Sequence, residues 1–284
     1  MPNTIHLEDF IEPDAPPVTV MPAYHTTLSR HDHDFYELVY VTGGFCLHDT
    51  GGAVTLLMEG DIFILKPWVS HKYVGNRVTR IYNCLFRADA LGEALGPLTA
   101  LPGLDKLFSP DLNESAPSLH LTLGERKTAV RLIEGMQLDL TDRPVGWPVR
   151  VKALLTSLLV EYARAYQAHV GGEPGEAAYS AYVAQAMSLI EERYADHSLT
   201  VAGIAAQVGV SADYLSRQFR LSTGIAAQEY LRRYRFARAI ALLQSDMPVG
   251  EIAAQVGFSS LAHFSREFRR EMGVSPSQYR TRDG

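Results

Sequence analysis

Two groups of side chains in this sequence have types and spacings that suit chemistry. The first is His31, His33 and Glu37, in RHDHDFYELVYV. Side chains on a regular strand alternate between faces with a period of two, so all three would point to one side. Imidazole nitrogens with a carboxylate suit a divalent ion such as iron, manganese, nickel or zinc. The same groups also suit hydrogen bonding to a ligand's hydroxyls, and spacing alone leaves both chemistries open. The second group is Ser-Arg-x-Phe-Arg, present at 216–220 and again at 265–269. Arginine recurring on a helix suits paired hydrogen bonds to guanine in the major groove of DNA.

The arginines sit in a duplicated element. IAAQVG occurs at 204–209 and again at 252–257. VSADYLSRQFRLSTG (210–224) then lies over FSSLAHFSREFRREMG (258–273), with one extra residue in the second copy. In each copy a short helix meets a glycine, Gly209 or Gly257, suited to the left-handed turn at a helix end. Ser211 and Ser259 stand where an N-cap is wanted, before a second helix that turns Leu215 and Phe219, or Phe264 and Phe268, inward. That is a helix-turn-helix, whose second helix enters the major groove with its early exposed residues toward base edges. Those positions are Asp213, Ser216, Arg217 and Arg220 in the first copy, and Leu261, His263, Ser265, Arg266 and Arg269 in the second. The segment between the copies, QEYLRRYRFARAIALLQ (228–244), makes a helix of ~25 Å at 1.5 Å per residue. With the hairpins at its ends, the two recognition helices come to about the ~34 Å turn of B-DNA, so one chain carries two readers. Phe236, Ile240 and Leu243 form one apolar stripe of this connector, and Tyr230, Tyr234, Ala237 and Ala241 another, so it is expected to be packed on both sides.

The first group belongs to a β-rich region. ELVYV (37–41), AVTLL (53–57), DIFILKP (61–67) and RIYNCLF (80–86) are short β-runs separated by glycines, the pattern of a sandwich or barrel. Two amphipathic helices follow, at 124–140 and 149–166, joined by the turn RPVGWP. This hairpin either packs onto its own β domain or offers a dimer seam; the second is the expectation, with Leu155, Leu159 and Tyr162 facing a partner subunit. VGGEPGEA (170–177) lacks periodicity and reads as linker. The fold class is therefore α+β. A β domain is expected over 1–105, a hairpin for dimerisation over 106–169 and a linker over 170–180; the resemblances given below imply a cupin-like, effector-sensing character for the first. The all-α DNA-binding domain, two helix-turn-helix modules joined by a long helix, occupies 181–284.

Composition bounds the setting. A chain of 284 residues is long enough for two domains. Two cysteines, Cys46 and Cys84, build no disulfide framework, and a reducing cytoplasm is the simpler expectation. No apolar run approaches the ~18–20 residues of a bilayer span, and the N-terminus lacks a secretion signal. The net charge of −6 hides a division. From Ala178 onward there are twelve arginines and no lysine against ten acidic residues, so the acidic excess lies in the N-terminal part.

The C-terminal region is recognisable. IAAQVGFSSLAHFSREFRREMGVSPSQYR (252–280) resembles the signature of the AraC/XylS family of bacterial transcription regulators. The likeness rests on Gly257-Phe258, Phe264-Ser265-Arg266, Phe268-Arg269, Gly273, Ser275-Pro276 and Tyr279-Arg280, and Arg235-Phe236, Ala239 and Leu242-Leu243 fit the family's connector. Leu261 and Ala262 stand where many members present polar side chains, so the second module is expected to contribute mostly backbone contacts. RHDHDFYELVYVTGG with GDIFILKPWVSH resembles the two motifs of a cupin barrel, and the same stretch resembles sugar-responsive, rhamnose-regulator-like members of the AraC family. The cupin resemblance implies His31, His33, Glu37 and His71 as ligands of one ion. The regulator resemblance implies an effector pocket without an obligatory cofactor, for which His31, His33, Tyr36, Glu37, Trp68, His71 and Tyr82 are the expected lining, with Tyr40 and Tyr73 nearby.

These resemblances imply a non-enzymatic, sequence-specific DNA-binding regulator, expected as an activator, that answers to a small-molecule effector such as a sugar. Its expected partners are a double-stranded operator, the effector, RNA polymerase and a second copy of the chain, with no membrane. The expected location is cytoplasmic. No cofactor is required, with room for a divalent metal in the barrel. The alternative is a metal-dependent cupin enzyme with an attached DNA-binding domain.

Overall fold

Glycines break the first third of the chain into runs rich in β-branched and aromatic residues, and these runs become strands. The computed structural model describes residues 3–12, 15–25, 28–51, 54–75, 79–109, 118–169 and 174–282. The strands are β1 (Asn3–Ile5), β2 (Val18–His25), β3 (Leu28–His33), β4 (Tyr36–Gly43), β5 (Phe45–Asp49), β6 (Val54–Met58), β7 (Asp61–Leu65), β8 (His71–Gly75), β9 (Thr79–Phe86) and β10 (Leu119–His120). They form two five-stranded sheets, β1-β3-β8-β5-β6 and β10-β7-β4-β9-β2, that face each other. This is the double-sheet barrel of a cupin-like domain.

Strand parity divides the side chains. On β4, Glu37, Val39 and Val41 point into the barrel, where the two valines meet Cys46, Leu57, Phe63, Leu65, Tyr73 and Ile81. Leu38 and Tyr40 point outward with Val18, Val20, Ile62, Ile64, Cys84 and Phe86. Left bare, that outer face would be a large apolar patch; helices cover it. After two four-residue helices, α1 (Leu95–Leu98) and α2 (Leu104–Leu107), come α3 (Leu123–Asp142) and α4 (Trp147–His169). Thr122 starts α3 with a capping box to Glu125. Val151, Leu155, Leu158, Leu159 and Tyr162 of α4 are no more than 1% exposed and belong to the same core as the sheet. The expectation that Leu155, Leu159 and Tyr162 face a partner subunit is therefore corrected: the apolar stripe of the hairpin is consumed by the chain's own sheet.

The expected linker is shorter than its composition suggested. Residues 170–173 lie outside the described residues, and from Pro174 the chain is already helical in α5 (Pro174–Arg193). Proline is well suited to the first helical position, which explains the early start. Helices α6 (Val201–Val208), α7 (Ala212–Thr223), α8 (Ala227–Leu243), α9 (Val249–Gln255), α10 (Leu261–Met272) and α11 (Pro276–Arg282) complete the chain. Their core is continuous with the outer face of the first sheet: Phe45, Leu47, Leu56, Met58 and Val74 join Tyr230, Leu231, Tyr234 and Phe236 in one cluster. The connector α8 lies against β5 and β8.

Candidate functional sites: a buried polar nest and a paired helix-turn-helix

The nest is built by strands that turn polar side chains into the barrel. β3 and β8 pair with His31 opposite His71, so His31, His33 and His71 converge with Glu37 of β4. His33 Nε2 stands 3.3 Å from Glu37 Oε2, and His71 Nε2 stands 3.6 Å from the same oxygen. His33 and His71 are 1% and 0% exposed and Glu37 is 5% exposed. The other ring nitrogens are committed to main-chain carbonyls: His33 Nδ1 donates to Phe35 O at 2.8 Å and His71 Nδ1 to Val69 O at 3.0 Å. Burial lowers the His71 pKa to about 4, against the opposing pull of Glu37, so its imidazole is neutral near pH 7.

Three of the four residues expected to share an ion come together. The donor atoms of His33, Glu37 and His71 all lie within 4.8 Å of one another, whereas His31 falls outside that group. The His31 ring leans on His71 at 4.4 Å between centroids, and its Nδ1 donates to Ser29 O at 2.9 Å. A fourth inward histidine, His48 of β5, went unnoticed in the sequence. Its ring lies 5.5 Å from His71 and stacks on Tyr73 at 4.8 Å. Its signal was alternation in FCLHD, where Cys46 and His48 share the inner face. Cys46, fully buried, has its thiol pushed up to about 12, which removes thiolate chemistry near neutral pH.

The aromatic part of the expected effector lining does not assemble. Tyr36 precedes inward-facing Glu37, so it points outward and packs on Phe86 and Phe108, 5.4 and 5.1 Å away. Tyr40 follows it into the helix-facing core, and Tyr82 of β9 packs against the same core on the outside, close to Glu134 of α3. Trp68 is 60% exposed at the rim, where its main-chain N–H donates to His33 O at 2.7 Å. Of the aromatics named from sequence, only Tyr73 lies inside.

The duplicated element forms two helix-turn-helix modules. In the first, Gly209 ends α6 at φ 80° and Ser211 caps α7 by accepting from Tyr214 N. In the second, Gly257 takes φ 84° after α9, and the cap of α10 is Ser260, accepting from His263 N, rather than the expected Ser259. The extra residue of the second copy sits in this turn and moves the cap by one. Counted from the caps, Ser216, Arg217 and Arg220 of α7 correspond to Ser265, Arg266 and Arg269 of α10. Asp213, Ser216, Arg217, Arg220, His263, Arg266 and Arg269 are exposed and Ser265 is half-buried, while Leu215, Phe219, Phe264 and Phe268 are buried.

Other arginines of this region have structural duties. Arg235 donates to Tyr194 O and Asp196 O at 2.8 and 2.9 Å, tying α8 to the end of α5. Arg280 donates to Leu243 O at 3.3 Å and to Met247 O, closing the end of α8. Arg232 and Arg233 pair with Glu271 at 3.5 and 3.4 Å. Among the described residues, no such tie engages Arg217, Arg220 or Arg269.

Fold and sites together define a DNA-binding regulator in which a ligand-binding β-barrel is joined to a two-module reader. Comparison with known proteins gives the same two parts: residues 18–135 match the AraC-like ligand binding domain and residues 204–282 a helix-turn-helix domain. The chain belongs to the AraC family of transcription regulators. It is 28% identical over 280 residues to the HTH-type transcriptional activator RhaS of Salmonella schwarzengrund, covering 98% of this chain and 97% of that protein. The C-terminal domain of AraT, a response regulator from Geobacillus stearothermophilus, is 36% identical over 35% of this chain and 84% of that one, with a TM-score of 0.35. The C-terminal domain of the response regulator yesN from Fusobacterium nucleatum is 34% identical over 34% and 93%, with a TM-score of 0.33. No helix among the described residues is long and apolar enough to cross a membrane.

Proposed function

We propose that this regulator is a cytoplasmic, non-enzymatic transcription activator that reads DNA through α7 and α10 and answers to an oxygen-rich small molecule, of which a sugar is the expected class, bound at the polar nest. The observation that carries the reading of DNA is the repeated Ser-Arg-x-x-Arg face. Two helices of one chain present Ser216, Arg217 and Arg220, and Ser265, Arg266 and Arg269, at matching positions. Arginine forks there suit guanine edges, while His263 and Asp213 suit further base or backbone contacts. Activation is supported by the name of the RhaS relative, a transcriptional activator; contact with RNA polymerase is the proposed route.

A second copy of the chain is the proposed partner in solution. With the apolar stripe of α4 consumed internally, the surface left is the outer face of the hairpin, where Leu123, Leu138 and Val149 are exposed beside Arg126, Lys127 and Arg131. Selection of bound fragments from genomic DNA tests the whole reading. Recovered sites should hold two short conserved blocks one helical turn apart, and a featureless set of sequences would refute it.

A further inference from the structure

The two recognition helices differ at their leading ends. Residues at i, i+4 and i+7 share one face of a helix. In α7 that face begins with Asp213 and continues with Arg217 and Arg220; in α10 it begins with Ala262 and continues with Arg266 and Arg269, and all six are exposed. Aspartate accepts hydrogen bonds, which suits the amino groups of cytosine and adenine. An alanine side chain neither donates nor accepts, and the first turn of α10 holds no acidic residue. Leu261 stands beside it, 48% exposed, where the first module has the half-buried Ala212. The leucine is backed by the preceding helix: a Cβ on Gly250 of α9 would lie 3.9 Å from its Cδ2. On the other flank the His263 ring meets Phe258 edge-on, 5.6 Å between centroids. The second module therefore presents a braced apolar lip at the end of the helix that leads into the groove.

Resting on the reading of DNA through α10, we propose that Leu261, with Ala262 beside it, reads the 5-methyl group of a thymine in the second half of the site. That methyl is the apolar substituent by which the major groove distinguishes bases; the other distinguishing groups there are hydrogen-bond donors and acceptors. The lip offers phosphate nothing, since neither side chain can donate, so its contact is with a base and not with the backbone. Continuity fixes the place. Ala262, Arg266 and Arg269 form one exposed line, with the apolar contact at its head and the arginine forks behind it. The two modules then differ in what they select: hydrogen-bonding edges along the whole face of α7, and a thymine followed by arginine-contacted bases along α10. Unlike readers also give the chain a single direction on its site. Excluding water from one methyl-sized contact is worth about 3–5-fold in affinity.

The test uses the full-length protein and a duplex recovered by selection, with each thymine replaced singly by deoxyuridine. That exchange removes the methyl and leaves the base pair and its O4 acceptor in place. The expected result is a thymine at which wild-type affinity falls about 3–5-fold. Leu261→Ala should weaken binding to the unmodified duplex by a similar factor and no longer respond to the exchange at that base, so that the two losses do not add. Leu261→Met keeps an apolar side chain of similar volume and should keep the response. The salt slope should be the same for all three proteins, because no phosphate contact changes. Urea melts accompany each variant, and a loss of affinity that came only from a weaker fold would leave the response to deoxyuridine intact. Indifference of the wild-type chain to every exchange, a selected site without thymine, or equal responses by wild type and Leu261→Ala at every thymine overturns the proposal and leaves sequence-specific binding standing. Equal affinity for selected and scrambled duplexes would instead sink the reading of DNA, and the thymine contact with it.

Discussion

Replacing Arg217 with alanine separates base reading from every structural role. The side chain is exposed in the middle of α7, and no hydrogen bond or ion pair among the described residues engages it. Its loss should change folding stability by no more than about 0.5 kcal/mol, the usual range for a surface position. On DNA the consequence depends on what the guanidinium touches. A fork on a guanine edge is worth about 1–3 kcal/mol at that base pair, or roughly 5- to 150-fold in affinity. A contact to phosphate would instead weaken all sequences equally and lower the salt slope by about one unit. The assay is fluorescence anisotropy on a selected site and on variants with each base pair changed in turn, at two salt concentrations. The expected outcome is loss concentrated at one position, where the variant no longer distinguishes the bases. An equal loss at every position, or no loss, would refute base reading by Arg217. Arg266 occupies the matching place on α10, but Glu267 lies 3.9 Å from its Nε, so a smaller loss is expected from Arg266→Ala.

Four further substitutions probe the architecture. Gly209→Ala should cost about 1–2 kcal/mol, because φ is positive but space is open. Gly257→Ala should cost roughly 3–5 kcal/mol in urea melts, because the new Cβ would stand 2.4 Å from Tyr194 O, the carbonyl that Arg235 holds. Equal costs would show that the second turn is not braced as described. Leu159→Ala should destabilise the sensor by about 2–5 kcal/mol without changing the sedimentation coefficient of the folded chain; release of folded monomers would restore α4 as a subunit seam. Phe45→Ala, which removes a ring under Arg233 at the junction of β5 with α8, should speed hydrogen exchange in α8 while leaving β9 protected. Unaltered exchange in α8 would mean that the sensor does not support the connector.

The reader was legible in the chain because its information is local. A glycine at a turn, a serine cap and an apolar pair four residues apart specify a helix-turn-helix within about twenty residues, and duplication announced that there were two. The slip from Ser259 to Ser260 has the same origin: one inserted residue lengthens the second turn, and either serine would satisfy a local rule. The β4 and β9 runs and the α3–α4 hairpin were likewise visible as periodic patterns. The strands β5 (FCLHD) and β8 (HKYVG) were not delineated: they are no shorter than β6 and β7, but inward-facing histidines interrupt the apolar run that marked those two.

What lay beyond the sequence is which face of each element meets which neighbour. Parity already separated Tyr36 from Glu37, yet only the packed sheets established that the tyrosine meets helices and the carboxylate meets histidines. The stripe on α4 read equally well as an interface within one chain or between two, because burial in water-free packing makes the same demand of a side chain in either case. Periodicity carries the requirement to be covered, and the identity of the cover is a property of the folded chain. The orientation of His33 and His71 is of the same kind: the residues were in plain view, but the carbonyls of Phe35 and Val69 that hold their Nδ1 atoms take their places only once β3 and β8 have paired.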